Sequence, residues 1–325
     1  MTNIVAIGNA IVDVLTREDD ELLDRLGLVK GTMALTDRAR AEEIYAAMSP
    51  GTECSGGSAA NTAAGVASLG GSAAFVGKVG DDALGEVFTH DIRAAGVVFE
   101  PNVAEGGDGT ARCLVLVTPD AQRTLNTHLG VASQLTVDDI DESLVGGAAI
   151  TYLEGYLWDQ PSTKDALRAA MAAAHGGAGR VAFTLSDPFC VDRHRAEFRD
   201  LIAGPIDILF ANEAELCSLY ETDDFEAAVA EVAASCDIAA VTRGEEGSVL
   251  ASRGRLVAVA AEATEVVDTT GAGDLYAAGV LFGLCNDLDL ETCGRLGAIA
   301  AAEVISHLGA RPLVSLATLV KPILG

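Results

Sequence analysis

Lysine is scarce in this chain of 325 residues, occurring only as Lys30, Lys78, Lys164 and Lys321, so arginine carries most of the positive charge. Acidic residues outnumber Lys plus Arg by 48 to 21, giving a formal net charge of −27. A field of that sign repels nucleic acid and anionic membrane surfaces, so neither is an expected partner. A positive group beside a phosphate is expected to be an arginine. No apolar run reaches the roughly eighteen residues that a membrane-spanning helix needs. Met1-Thr2-Asn3-Ile4-Val5 lacks the basic region and cleavage site of a secretory leader, so none is expected. The seven cysteines, an odd number, form no Cys-x-x-Cys pair and no Cys/His cluster. Disulfide and zinc frameworks are therefore not expected, whereas reduced thiols in a cytoplasmic protein are. Internal repeats, long linkers and charge blocks are also absent.

Half of the residues are hydrophobic (50%), enough for one large α/β core with or without an appendage. Short apolar runs at 4–7, 73–76, 181–185, 206–210 and 238–241 alternate with Ala-rich helical stretches at 59–69, 163–174, 225–234 and 275–285. That rhythm predicts a mostly parallel sheet with helices on both faces. Residues 109–118 and 123–127 break it, reading as two strands around the turn Pro119-Asp120. Together with 11–36 they are expected to form a small β lid. The expected division is a core of 1–10, 37–104 and 128–325, with a discontinuous lid of 11–36 and 105–127.

Chemistry is concentrated in Asp268-Thr269-Thr270-Gly271-Ala272-Gly273-Asp274. Residues 265–267 before it read as a strand, and Leu275 after it reads as the opening of a helix. Glycines there allow a tight turn with N–H groups facing outward, and a helix start adds unpaired N–H groups and a positive dipole end. Such a turn can cradle a phosphoryl group in transfer. Asp274 beside it is placed to take a proton from an attacking hydroxyl, although an aspartate there also serves as a plain helix cap.

The string Asp-Thr-x-Gly-Ala-Gly-Asp resembles the C-terminal signature of the ribokinase-like, or PfkB, carbohydrate kinases. Gly56-Gly57-Ser58-Ala59-Ala60-Asn61-Thr62-Ala63, followed by Leu69-Gly70-Gly71, resembles the N-terminal signature of the same family. The resemblance covers nearly the whole chain and implies a ribokinase-like α/β fold with a β lid and an ATP- and Mg²⁺-dependent kinase. It makes Asp274 the catalytic base, with Gly271, Ala272 and Gly273 as the anion hole. Asn9, Asp13, Gly56, Gly57, Ser58 and Asn61 are implied to meet the acceptor. Asn212-Glu213-Ala214-Glu215 matches the family's Asn-x-x-Glu motif, so Asn212 is expected near the ATP phosphates and Glu215 at magnesium through water. Thr242, Gly244 and Gly247 are expected around the nucleotide. Asp268 and Thr270 match part of the potassium site of some members, with backbone carbonyls from 304–309 completing it. Gly309-Ala310-Arg311-Pro312 resembles the family's tail.

Within the family, Gly8-Asn9-Ala10-Ile11-Val12-Asp13, the stretch 183–189 and the stretch 122–130 resemble adenosine kinases. By that likeness Arg123 reaches from the lid to the transferred phosphate, a task suited to a forked guanidinium. Leu129, Val131, Tyr156 and Leu157 could flank a purine, and core packing explains them equally well. Thr32 and Ala34 stand where eukaryotic adenosine kinases are expected to carry bulkier residues. The acceptor expected is the 5′-hydroxyl of adenosine, with another purine nucleoside or a simple sugar as alternatives; a monomer and a homodimer are both open. A dinucleotide fold fails because Gly8-Asn9-Ala10 lacks the second glycine, and a P-loop fails because Val79 follows Lys78.

Overall fold

The computed structural model describes residues 3–120 and 122–324, so Met1, Thr2 and Gly325 of the expected core and Ala121 of the expected lid lie outside it. One 9-stranded sheet runs in the order Arg255–Val259, Ser248–Ser252, Ile238–Thr242, Ile208–Asn212, Arg180–Thr184, Ile150–Glu154, Ile4–Ile7, Ala73–Val76, Val98–Phe99. Every pairing from Ile238–Thr242 to Val98–Phe99 is parallel, and the other two strands pair antiparallel at one edge. Alternate residues feed opposite faces, as the period of a strand requires. Ile4 and Ala6 pack in one buried cluster with the helices Ser58–Ser68, Ala272–Cys285 and Leu290–Ile305. Val5 and Ile7 pack in another with Pro161–Gly176 and Pro188–Ile202. The chain is a ribokinase-like three-layer α/β fold, as expected.

A second, 5-stranded sheet forms the lid, in the order Met33–Leu35, Arg123–His128, Ala111–Val117, Ile11–Arg17, Thr52–Gly56. On its outer face Val14, Leu114 and Leu116 pack with Leu22, Leu23, Ala41 and Ile44 of the helices Asp20–Leu26 and Arg38–Ala47. The expected lid boundary at residue 36 is therefore too early: the helix after it and the strand Thr52–Gly56 belong with the lid sheet. That strand, Thr-Glu-Cys-Ser-Gly, has no apolar alternation to announce it, and only its antiparallel pairing with Ile11–Leu15 makes it one.

Residues 265–267 are not a strand. They have no strand to pair with, and instead Val267 and Asp268 donate their N–H groups to Ile305 O at 2.8 and 3.2 Å. The helix that follows starts earlier than expected, at Ala272, with Gly271 as its N-cap. Gly273 and Asp274 thus lie in its first turn. No helix among the described residues is long and apolar enough to cross a membrane.

Candidate active site

Gly271 has φ +80°, and a Cβ there would stand 2.9 Å from Ala310 Cβ, so both backbone and packing demand glycine. Gly273 differs: nothing lies within 4 Å of where its Cβ would be. The N–H groups of Gly273 and Asp274 find no acceptor among the described residues, whereas Ala272 N bonds Thr269 O at 3.2 Å and Leu275 N bonds Gly271 O at 2.9 Å. Two free donors at a helix start, facing open space, make an anion cradle.

Asp274 sits on that cradle with both oxygens oriented. Ser58 Oγ donates to Oδ1 at 2.7 Å and Asn61 Nδ2 to Oδ2 at 2.9 Å, while Thr62 Oγ1 donates to the Asp274 backbone oxygen at 3.1 Å. The carboxyl still reaches solvent, yet protein walls it in closely enough that burial pushes its pKa upward, against those two hydrogen bonds and the charge of Arg311.

Asp13 lies over Gly56, which has no side chain to displace it. Burial pushes its carboxyl up to about 7, opposed by Arg311 and then Arg123. Asn9 is held by Glu154, a residue that carried no motif. Glu154 is 1% exposed and accepts from Asn9 N at 2.7 Å, Asn9 Nδ2 at 2.5 Å and Ala59 N at 3.0 Å. It therefore fixes the end of the first strand against the start of the Ser58 helix. Burial pushes it up to about 7 as well, with Asp274 adding to the rise. A charged residue closing a buried strand beside a glycine, as in Ile150-Thr151-Tyr152-Leu153-Glu154-Gly155, was the available signal.

Arg123 comes from the lid to the turn. Nη1 donates to Thr270 Oγ1 at 2.9 Å, and Nη2 stands 2.5 Å from Asp268 Oδ2 as a charge contact without hydrogen-bond direction. Asp268 also accepts from Thr270 N at 3.0 Å and Gly309 N at 2.8 Å. Donors and a guanidinium thus fill the position expected to hold potassium. In this arrangement the Asp268 carboxylate and the Thr270 hydroxyl are engaged by protein donors and do not stand free for a monovalent cation.

Asn212 and Glu215 close a reciprocal capping box at 2.8, 2.9 and 2.6 Å. Glu215, 5% exposed, is pushed up to about 7 by burial, then by the neighbouring charges of Asp187 and Asp274. Asp187 is thus a neighbouring carboxylate of Glu215, the residue expected at magnesium through water, although among the described residues no group of three or more His, Cys, Asp or Glu side chains gathers as a metal site. Thr242 ends the strand Ile238–Thr242, and Gly244 and Gly247 lie in the turn from it to the strand Ser248–Ser252. That turn reaches the Asp274 helix through Tyr276 OH, which donates to Ser248 Oγ at 2.8 Å. Two base-flanking candidates are misplaced: Val131 and Leu157, 0% and 2% exposed, are core residues with no open face. Leu129 and Tyr156 remain half-buried.

A lid arginine, an oriented carboxylate and an anion cradle at the strand ends define an ATP-dependent phosphotransferase with an alcohol acceptor. The model of the pfkB family of carbohydrate kinases matches residues 1–316, and the chain belongs to that family. It is 52% identical to an adenosine kinase from Sinorhizobium meliloti of known structure, over 99% of both chains with a TM-score of 0.93. A probable sugar kinase from Rhizobium etli CFN 42 is 47% identical, over 99% of both chains at the same TM-score of 0.93. The adenosine kinase of Saccharomyces cerevisiae is 28% identical over 94% of this chain and 95% of its own.

Proposed function

We propose that this enzyme transfers the γ-phosphate of ATP to the 5′-hydroxyl of adenosine, giving AMP and ADP. One observation carries the nucleoside reading: the inner face of the lid is banded. Cross-strand pairing sets Leu35, Thr127, Cys113, Asp13 and Cys54 in one row and Met33, Leu125, Val115, Leu15 and Thr52 in the next, where Leu125 and Leu15 are half-buried and Val115 is buried between them. Both rows share the face of Arg123, which meets the core turn, and alternate with the residues that pack outward. A sugar alone uses a polar row with Asp13. The adjoining apolar row suits the flat, weakly hydrated face of a base. The likeness to the Sinorhizobium meliloti adenosine kinase supports the same reading.

In this mechanism Asp13 accepts hydrogen bonds from neighbouring ribose hydroxyls, with Asn9 and the Gly56-Gly57 loop closing around them. Asp274 takes the 5′-hydroxyl proton as that oxygen bonds to the γ-phosphorus and the bond to the bridging oxygen breaks, releasing ADP. The N–H groups of Gly273 and Asp274, with Arg123, stabilise the charge on the phosphoryl oxygens. Glu215, with Asp187 beside it, would hold magnesium through water, and a magnesium ion there would neutralise charge on the phosphates. Asn212, Thr242, Gly244 and Gly247 border the nucleotide. The seven cysteines are free.

The likeness to a probable sugar kinase at the same TM-score keeps a ribokinase-type acceptor as the second reading. ADP formation from MgATP with adenosine, inosine, ribose and fructose separates them. Adenosine leading in kcat/KM by about 100-fold or more is the expected result; ribose or fructose in front sinks the nucleoside reading.

A further inference from the structure

Gly309, Ala310 and Arg311 are consecutive, and each touches a different part of the site. Gly309 N–H donates to Asp268. Ala310 packs on Gly271. Arg311 donates from Nε and Nη2 to Ser55 O and Oγ at 3.2 and 3.1 Å, and from Nη1 to Ala60 O at 2.7 Å. The tail therefore straps the Asp268–Asp274 turn to the strand and helix that carry Gly56, Gly57, Ser58 and Asn61.

Every acceptor of this guanidinium is uncharged, and among the described residues no carboxylate oxygen lies within 4.0 Å of it. A cation without a contacting anion acts on the carboxylates further out. Those are Asp13 and Asp274, with Asp91 and the Cys54 thiol on the same side. Arg311 is the foremost cation acting on Asp13, ahead of Arg123, and the cation acting on Asp274. We propose that Arg311 is a positioning residue for the phosphoryl transfer: it registers the acceptor loop against the anion cradle and supplies the positive field in which Asp13 and Asp274 work as carboxylates. This rests on the reading of Asp274 as proton acceptor.

Apart from Arg123, which is paired with Asp268 in the same turn, the other groups around Asp274 are neutral or negative. Ser58 and Asn61 come from the Ser58 helix, Asp13 from the lid, Tyr152 and Glu154 from the strand Ile150–Glu154, Tyr156 from the turn after it, and Glu215 from the helix Glu213–Tyr220. Removing Arg311 leaves the burial of Asp274 opposed only by the Ser58 and Asn61 hydrogen bonds, so a proton on Asp274 is held more tightly.

The test is the pH profile of kcat and acceptor KM between pH 5.5 and 9 for Arg311→Gln and Arg311→Lys, beside Asp274→Asn. In Arg311→Gln the acid limb of kcat should move to higher pH, so that the loss at pH 6 exceeds the loss at pH 8 by about tenfold. Arg311→Lys keeps the charge without the fork, so its limb should stay at the wild-type position while the acceptor KM rises. A folded Arg311→Gln whose loss is equal at every pH makes Arg311 a mere tie and overturns the proposal. Should Arg311→Gln fail to fold, the lysine variant decides, and a limb displaced upward there overturns it too. Near-normal turnover in Asp274→Asn sinks the base reading and the proposal with it. An inactive Asp274→Asn beside an unshifted Arg311→Gln sinks the proposal alone.

Discussion

Asn61 Nδ2 donates to Asp274 Oδ2 at 2.9 Å, although 213 positions separate the two residues in the chain. Ser58, one helical turn earlier, holds the other oxygen. The N-terminal signature thus serves the C-terminal one directly: the glycine loop opens a helix whose first turn aims the carboxylate that the second signature supplies.

Asp274→Asn preserves the shape and leaves an acceptor for Ser58, but it cannot take a proton. Turnover should fall by about 10²- to 10⁴-fold, with the melting temperature close to wild type. Steady-state kinetics beside a thermal melt checks both halves. A variant with wild-type kcat would show that the aspartate only caps its helix.

The two glycines of the cradle should fail in different ways. Gly271→Ala meets Ala310 and a φ of +80°, so it should lower stability by about 1–3 kcal/mol. Gly273→Ala meets no atom within 4 Å and should leave stability near wild type, while its methyl group intrudes on the phosphoryl site and lowers kcat by about tenfold or more. Chemical denaturation and kinetics on both variants make the comparison. Equal losses of stability would contradict it.

Arg123 links lid to cradle, with side chains of Arg123 and Asp268 only 11% and 3% exposed. Arg123→Ala should cut kcat by about 10²-fold, and Arg123→Lys, with charge but no fork, should fall between. Were both variants to lose melting temperature and keep kcat, the arginine would be a latch on Asp268 and no part of phosphate binding.

Burial places Asp13, Glu154 and Glu215 each near 7. A carboxyl whose folded pKa lies above its unfolded value binds more protons folded than unfolded, so its contribution to stability falls as pH rises from about 4 to about 7. The ligand-free protein should accordingly melt higher at pH 6 than at pH 8, and Glu215→Gln should flatten that slope. Scanning fluorimetry across this range decides it; a melting temperature climbing steadily with pH would contradict the assignment.

The alternation of apolar runs with Ala-rich stretches determined the parallel sheet and its two helical layers, because burial on both faces imposes continuous apolar strands whatever the neighbours are. The two glycine signatures likewise marked the cradle and Asp274, since positive φ and open space at a helix start leave little choice of residue. Tertiary structure alone decided what those motifs touch. Thr52–Gly56 became a strand only because Ile11–Leu15 offered it a partner, and residues 265–267 did not because no strand lay beside them. Glu154 and Arg311 entered the site through bonds spanning 145 and 256 positions, distances at which local pattern says nothing of the partner. Asp268 was legible as a site residue, but the donors that reach it from residues 123 and 309 depend on how the lid and tail fold back, which the fold settles and the motif does not.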